Sequence, residues 1–254
     1  MEMKPLFLIT NDDGYQSAGL HHLVRVAEEL GDVVVMAPDR NASGLSSSIT
    51  TGRPLRVRAV GGDGQQLFAC DGTPADCVKM GLEHFCPRRP DLVLSGINYG
   101  SNASINVIYS GTIGAVLEAC LDGFASIGFS VLSHSAETDF EACEPTIRHI
   151  LRQVLSRPLP AGAGLNVNIP RLPAAEIKGI KVCRQAKASW VDSLERRTDP
   201  LGRPYWWMTG KFVCDDPRED TDEYALRQGY ASVVPIRPDF TDLSALETMQ
   251  YLEL

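Results

Sequence analysis

Three short apolar runs, each ended by polar turn-forming residues, constrain this chain more than any other feature. The first is Leu6-Phe7-Leu8-Ile9, followed by Thr10-Asn11-Asp12-Asp13-Gly14. The second, Asp32-Val33-Val34-Val35-Met36-Ala37, opens into Pro38-Asp39-Arg40-Asn41-Ala42-Ser43-Gly44. The third, Asp91-Leu92-Val93-Leu94-Ser95, opens into Gly96-Ile97-Asn98-Tyr99-Gly100-Ser101-Asn102. Runs of this length read as buried parallel strands. After the first of them, Leu20, Leu23, Val24, Ala27 and Leu30 recur at helical spacing, and Gly31 ends the run. Strands alternating with helices predict an α/β fold, a doubly wound, mostly parallel sheet between two helical layers. Parallel order points the three turn starts toward one sheet edge, where open α/β sheets bind ligands. The expectation is one site rich in Asp, Asn, Ser and Gly.

The adjacent carboxylates Asp12 and Asp13 suit a hard cation held through oxygen. A single Asp-Asp-Gly would read more simply as a turn whose acids cap the next helix; its repetition as a pattern favours a site. At Tyr109-Ser110-Gly111-Thr112 a loop becomes a helix. Free amides and the helix dipole at such a start attract an anion. Ordinary capping by Ser110 or Thr112 is the competing reading, and the preceding candidate metal loop favours phosphate.

Composition fits an intracellular enzyme. The chain has 254 residues, 44% hydrophobic and 22% charged, with a formal charge of -8. That charge argues against broad binding of nucleic acid or anionic membrane, although a bound cation would still admit a small phosphate substrate. No apolar stretch is long enough to span a bilayer, and Met1-Glu2-Met3-Lys4 is no signal peptide, so the cytoplasm is expected. The seven cysteines form no Cys-x-x-Cys pair and read as small buried hydrophobes. The histidines at 21, 22, 84, 134 and 149 have no ligand spacing. Tyr109 could stack on a base, but core packing is the expectation.

Further along, pieces around 53–57 and 66–68 with Gly61-Gly62-Asp63-Gly64 between them suggest a hairpin. Thr73-Pro74 marks a helix start, with Thr73 and Asp76 organising it. Helices are expected over 111–121 and 140–155, and a strand over 164–169. Residues 1–170 read as the α/β catalytic core and 171–254 as a C-terminal region. That region carries a hairpin or swap arm around 184–215, rich in Trp, then a short helix at 222–226 and a strand at 230–236. The hairpin would either pack against a second subunit or lie as a local flap over the site, and the final helix and strand would pack on the core or on a partner subunit.

Five segments carry a family resemblance: Thr-Asn-Asp-Asp-Gly-Tyr at 10–15, Ala-Pro-Asp-Arg-Asn-Ala-Ser-Gly at 37–44, Gly-Thr-Pro-Ala-Asp-Cys-Val at 72–78, Ser-Gly-Ile-Asn at 95–98 and Tyr-Ser-Gly-Thr at 109–112. Together they resemble the survival protein SurE family, and the match continues into Thr221-Asp222 and Gly229-Tyr230. The resemblance implies a Rossmann-like α/β/α core and a C-terminal β-hairpin region used for homodimer or homotetramer contacts. It implies a metal-dependent phosphatase acting on nucleoside 5′- and 3′-monophosphates, with short polyphosphate as a further substrate. One divalent ion per subunit, Mg²⁺ or Mn²⁺, would be held by Asp12, Asp13, Ser43 and Asn98. Asn102, Ser110, Gly111 and Thr112 would face the phosphate. Two carboxylates, a hydroxyl and an amide carbonyl suit such an ion on chemical grounds as well. The expected mechanism is direct attack by metal-associated water, with Asp12 or Asp13 positioning it or taking its proton and Asn102 stabilising phosphoryl charge.

The chain departs from the family pattern in places. The family's Leu-Gly-Asp-Asp-Val is Ala103-Ser104-Ile105-Asn106-Val107, its Ser-Asn-Ser is Ser46-Ser47-Ser48, and Ala18 replaces a proline before Gly19. A catalytically weakened nucleotide- or phosphate-binding protein on the same fold is therefore the alternative function. A haloacid-dehalogenase-type phosphatase would need a second acid two residues after the first, where Asp12 has Gly14 and Asp13 has Tyr15. A dinucleotide oxidoreductase would need Gly-x-Gly-x-x-Gly in place of Asp-Asp-Gly.

Overall fold

The computed structural model describes residues 3–62, 64–133, 135 and 137–253; Asp63 in the expected hairpin turn and His134 lie outside them. The first apolar run forms β1 (Leu6–Thr10), entirely buried. Its side chains alternate between two cores: Phe7 and Ile9 enter one, Leu6 and Leu8 the other. A strand covered on both faces needs apolar residues at every position, which is why the run shows no alternation.

Helix α1 (Ala18–Glu28) follows, then β2 (Asp32–Pro38), β3 (Val57–Ala59), β4 (Leu67–Cys70) and α2 (Pro74–Met80). Thr73 caps α2 through a reciprocal capping box with Asp76, as its sequence predicts. Strand β3 begins later than expected, because Pro54 has no N–H to offer a sheet ladder. A π-helical turn (Gly81–Phe85) leads to β5 (Leu92–Tyr99), and then come α3 (Gly111–Leu121), β6 (Ser126–Val131), α4 (Glu144–Ser156) and β7 (Gly164–Ile169). The C-terminal third adds β8 (Ile180–Val182), a hairpin of β9 (Ser189–Thr198) and β10 (Pro204–Val213), α5 (Asp222–Arg227), β11 (Ala231–Ile236) and α6 (Leu243–Thr248).

Among the described residues nine strands form one sheet in the order β3-β4-β2-β1-β5-β6-β7-β11-β8. Only β3 and β11 run antiparallel to the neighbours they join at β4 and β7. Helices α1 and α4 cover one face; α2 and α3 cover the other. The order reverses at β1, with β2 on one side and β5 on the other. That switch point is where doubly wound sheets open a crevice. The expected α/β class therefore holds, with β9 and β10 as a separate antiparallel sheet. All seven cysteines are free, five of them buried. Among the described residues no helix is long and apolar enough to cross a membrane.

Candidate active site

Beyond β1, the turn places Asp12 at 3% exposure and uses neither acid as a helix cap. Ser17 caps α1 instead, and Asn11 Nδ2 donates to Ser17 Oγ (2.7 Å) and to the Gly14 carbonyl (3.0 Å). The simple capping reading of Asp-Asp-Gly fails, and the carboxylates are left for other chemistry. Ala18 explains its own departure from the family pattern. It is the first helical residue of α1, a position that favours proline but does not need it.

Strand β5 runs four residues beyond the expected Ser95-Gly96 boundary because a bulge interrupts its pairing with β6 between Ser95 and Asn98. Bulges re-aim side chains. Gly96, at φ +128°, is required there, since a Cβ would lie 2.3 Å from the Phe129 carbonyl oxygen. Beyond the bulge, Asn98 is buried, and its Nδ2 donates to the Gly100 carbonyl (3.0 Å). Its own carbonyl oxygen is left as an acceptor.

Asp12, Ser43, Asn98, Asn102 and Ser110 line one cavity of about 550 Å³ at the crevice. A larger cavity of about 750 Å³ lies elsewhere, lined by residues such as Lys4, Arg25, Glu28 and Arg88, and contains none of the expected site residues. Asp13 adjoins the first cavity beside Ser43 and Tyr99. Burial raises the Asp12 carboxyl above its ordinary range, opposed by hydrogen bonds from Thr112 and Gly111. Burial and then the charge of Asp12 push Asp13 up to about 6, opposed by the Tyr99 amide and the Ser43 hydroxyl. A buried acid and a half-buried one side by side repel in this way until a cation offsets them. Asp13 Oδ2 is buried with no hydrogen-bond partner. An orphaned carboxylate oxygen beside a second acid, a hydroxyl and an amide carbonyl fits a hard, oxygen-liganded divalent ion. Among the described residues no three His, Cys, Asp or Glu cluster for a metal, so any ion here depends on the neutral oxygens of Ser43 and Asn98.

The expected phosphate residues divide. Ser110 lines the cavity and caps α3, accepting from Ile113 N (3.1 Å), so its own O–H is still free to donate. Gly111 and Thr112 turn toward Asp12: Thr112 Oγ1 donates to Asp12 Oδ1 at 2.7 Å, and a Cβ on Gly111 would sit 2.8 Å from that of Asp12. Asn102 is fixed from three directions. Its N–H donates to Asn168 Oδ1 (2.8 Å), its Nδ2 donates to Ser130 Oγ (2.8 Å), and its carbonyl accepts from Asn166 Nδ2 (2.8 Å).

Sequence reasoning missed that support, although Asn166 and Asn168 alternate within a buried strand and so share one face. Two fully buried amides there demand partners, which was the available signal. It also missed Glu223, Asn106, Trp190 and Phe212, which line the same cavity. Tyr109 is corrected: at 58% exposure it lines the cavity and is no core residue. Ser47 is exposed and lies outside the lining.

The family model of the survival protein SurE matches residues 7–192. The chain belongs to the SurE family. A protein named 5′-nucleotidase SurE from Christiangramia forsetii is 52% identical over 241 residues, 94% of this chain and 93% of that protein. Another of the same name, from Flavobacterium johnsoniae, is 48% identical over 98% of this chain and 96% of its own length. The crystal structure of the SurE protein from Aquifex aeolicus superposes with a TM-score of 0.87 at 40% identity, covering 98% of this chain and all of that one. SurE membership thus agrees with the resemblance read from the five motifs, and the shared fold with the sheet order above.

Proposed function

We propose that this chain is a divalent-metal-dependent phosphomonoesterase, hydrolysing nucleoside 5′- and 3′-monophosphates to nucleoside and phosphate, with short polyphosphate as a secondary substrate. The observation that carries the reading is the meeting of Asp12, Ser43, Asn98, Asn102 and Ser110 on one cavity, with the orphaned Asp13 Oδ2 beside it. The relatives' name, 5′-nucleotidase, points to the 5′-monophosphates among these substrates.

In this reading Asp12, Asp13, Ser43 and Asn98 hold one Mg²⁺ or Mn²⁺ per subunit. When bound, the ion polarises phosphoryl oxygens and lowers the pKa of an associated water. Thr112 fixes Asp12 by its hydrogen bond. Asp13, beside the ion, orients the attacking water and takes its proton. The water oxygen bonds to phosphorus as the ester P–O bond breaks, and the leaving oxygen takes a proton from solvent, to which Asp13 returns the one it took, so the nucleoside departs as an alcohol. The Asn102 amide and Ser110 hydroxyl stabilise the phosphoryl oxygens, which gain charge on the way.

Residues 1–170 act as the catalytic core, and 171–254 complete the sheet and carry the arm. On the hairpin Leu194, Trp206, Trp207 and Met208 are each more than half exposed. These residues lie on both sides of the ribbon, Trp207 opposite the other three; a lone two-stranded hairpin is marginal in water, so we assign the hairpin to a second copy in a homodimer or homotetramer. A cytoplasmic location accords with the role.

The test is phosphate release from 5′- and 3′-nucleotides, tripolyphosphate and an aryl phosphate, with Mg²⁺, Mn²⁺ or chelator. Metal-dependent release led by nucleoside monophosphates is expected, and Asp12→Asn should abolish it with the fold retained. Undiminished Asp12→Asn activity would remove that residue from the mechanism. Failure of every substrate and metal would leave a binding protein on this fold.

A further inference from the structure

The cavity is not polar throughout. Its lining includes Trp190 and Phe212, which face each other across the open end of the hairpin, and Tyr109 from the turn before α3. Trp190 is 43% exposed yet held in place twice: its Nε1 donates to Asn106 Oδ1 at 2.8 Å, and its ring meets Phe212 edge-on with centroids 5.6 Å apart. An indole pinned but not covered is a preformed flat surface. Among the described residues no Lys, Arg or His lines the cavity, so further phosphates of a polyphosphate would find no side-chain countercharge there.

We infer that Trp190, oriented by Asn106 and flanked by Tyr109, is the stacking platform for the nucleobase, and that it makes the site selective for nucleoside monophosphates over base-free phosphates. This rests on the nucleotidase reading. A base is planar and neutral, every base offers a π-face, and stacking on an aromatic side chain is worth an order of magnitude or more in affinity. Such a platform distinguishes base from no base and is tolerant of which base is present. Asn106 is the positioning residue. It stands where the family pattern has an acid, and its amide still accepts the indole N–H.

The blander role for Trp190 is to anchor the hairpin to the 104–108 turn, and the experiment separates the two. Wild type, Trp190→Ala, Trp190→Phe and Asn106→Ala are compared on AMP and on ribose 5-phosphate, which differs in lacking the base. The oligomeric state is checked by sedimentation. For Trp190→Ala the KM for AMP should rise roughly tenfold or more, while ribose 5-phosphate kinetics stay within about twofold. Trp190→Phe should restore most of the loss, and Asn106→Ala should show a smaller, AMP-selective rise. Equal losses on both substrates, or an unchanged KM for AMP, would overturn the platform. If wild type releases phosphate from neither, the nucleotidase reading fails by itself. Calorimetric titration of AMP into wild type and Trp190→Ala then still decides whether the indole holds the base.

Discussion

Gly111→Ala isolates how closely helix α3 is set against the carboxylate site. Gly111 is the first residue of α3, and an added Cβ would lie 2.8 Å from Asp12 Cβ and 2.9 Å from Asp12 Oδ2. Carbon atoms in contact sit about 3.5–4.0 Å apart, so helix and turn must separate by roughly 0.7–1.2 Å. Asp12 cannot swing away freely, since it is buried and its Oδ1 holds Thr112. Overpacking of this kind costs about 1–3 kcal/mol. Replacing Gly by Ala at a compatible backbone returns about 0.4–1 kcal/mol, which leaves a net loss near 0–2.5 kcal/mol. For a chain of this length that is a fall in melting temperature of at most roughly 10 °C. The effect on turnover should be much larger, because a shift of about 1 Å in a reacting geometry costs on the order of a hundredfold. Phosphate release from AMP and a thermal melt, run together, read both quantities. Gly52→Ala is the control, since a Cβ there meets nothing within 4 Å. A Gly111→Ala protein with wild-type turnover would refute the placement of Asp12 in the reacting site.

Two further outcomes follow from the same residues. Asp13 is raised to about 6 in the fold, from an ordinary 3.8, and Asp12 is raised as well. Between these values the native state binds more protons than the unfolded chain, so this contribution to stability falls as pH rises through about 6. In chelator the melting temperature should therefore decline from pH 5 to 7.5. Added Mn²⁺ should raise it at pH 7.5 but little at pH 5, and Asp13→Asn should shrink both effects, leaving the part that Asp12 contributes. An equal Mn²⁺ shift at the two pH values would rule out these carboxylates as ligands. The second outcome concerns Asp222, whose buried carboxylate accepts from the amides of Ser104 (2.8 Å), Ala186 (2.9 Å) and Glu223 (2.8 Å). Asp222→Ala should lower stability in urea by about 2–5 kcal/mol by orphaning buried donors, and a loss below about 0.5 kcal/mol would show that water replaces them.

Strand β1 was legible because its constraint is local. A strand buried on both faces must be apolar at each position, and only a turn can follow. Helix α2 was legible for the same reason, since its cap lies within three residues of its start. The bulge in β5 was not, because it depends on how Gly96 meets Phe129 on a strand 33 residues away. Nor was the division of labour at α3. Ser110, Gly111 and Thr112 look alike as a loop-to-helix start, and only the approach of β1 turns two of them toward Asp12 and one toward the cavity.

The 103–106 loop shows most clearly why motif comparison alone falls short. A glycine replaced by Ser104 reads from sequence as damage to the phosphate approach. In the fold Ser104 has φ +54°, a left-handed conformation that suits glycine and costs another residue about 1–2 kcal/mol. Two contacts oppose that cost: its amide donates to Asp222, and its hydroxyl donates to the Ala186 carbonyl at 2.9 Å. Both partners lie more than 80 residues further along the chain, at the foot of the hairpin and the start of α5. The serine thus ties the loop to the segment that delivers Trp190, and the tie holds the strained backbone in place. Ser104→Ala keeps the strain and loses the hydroxyl bond, whereas Ser104→Gly relieves the strain and loses the same bond. The glycine variant should therefore be the more stable of the two by about 1 kcal/mol, read as the difference between their urea midpoints. The opposite order would mean that the backbone at 104 relaxes out of the left-handed region, and that the loop is held by Asp222 alone.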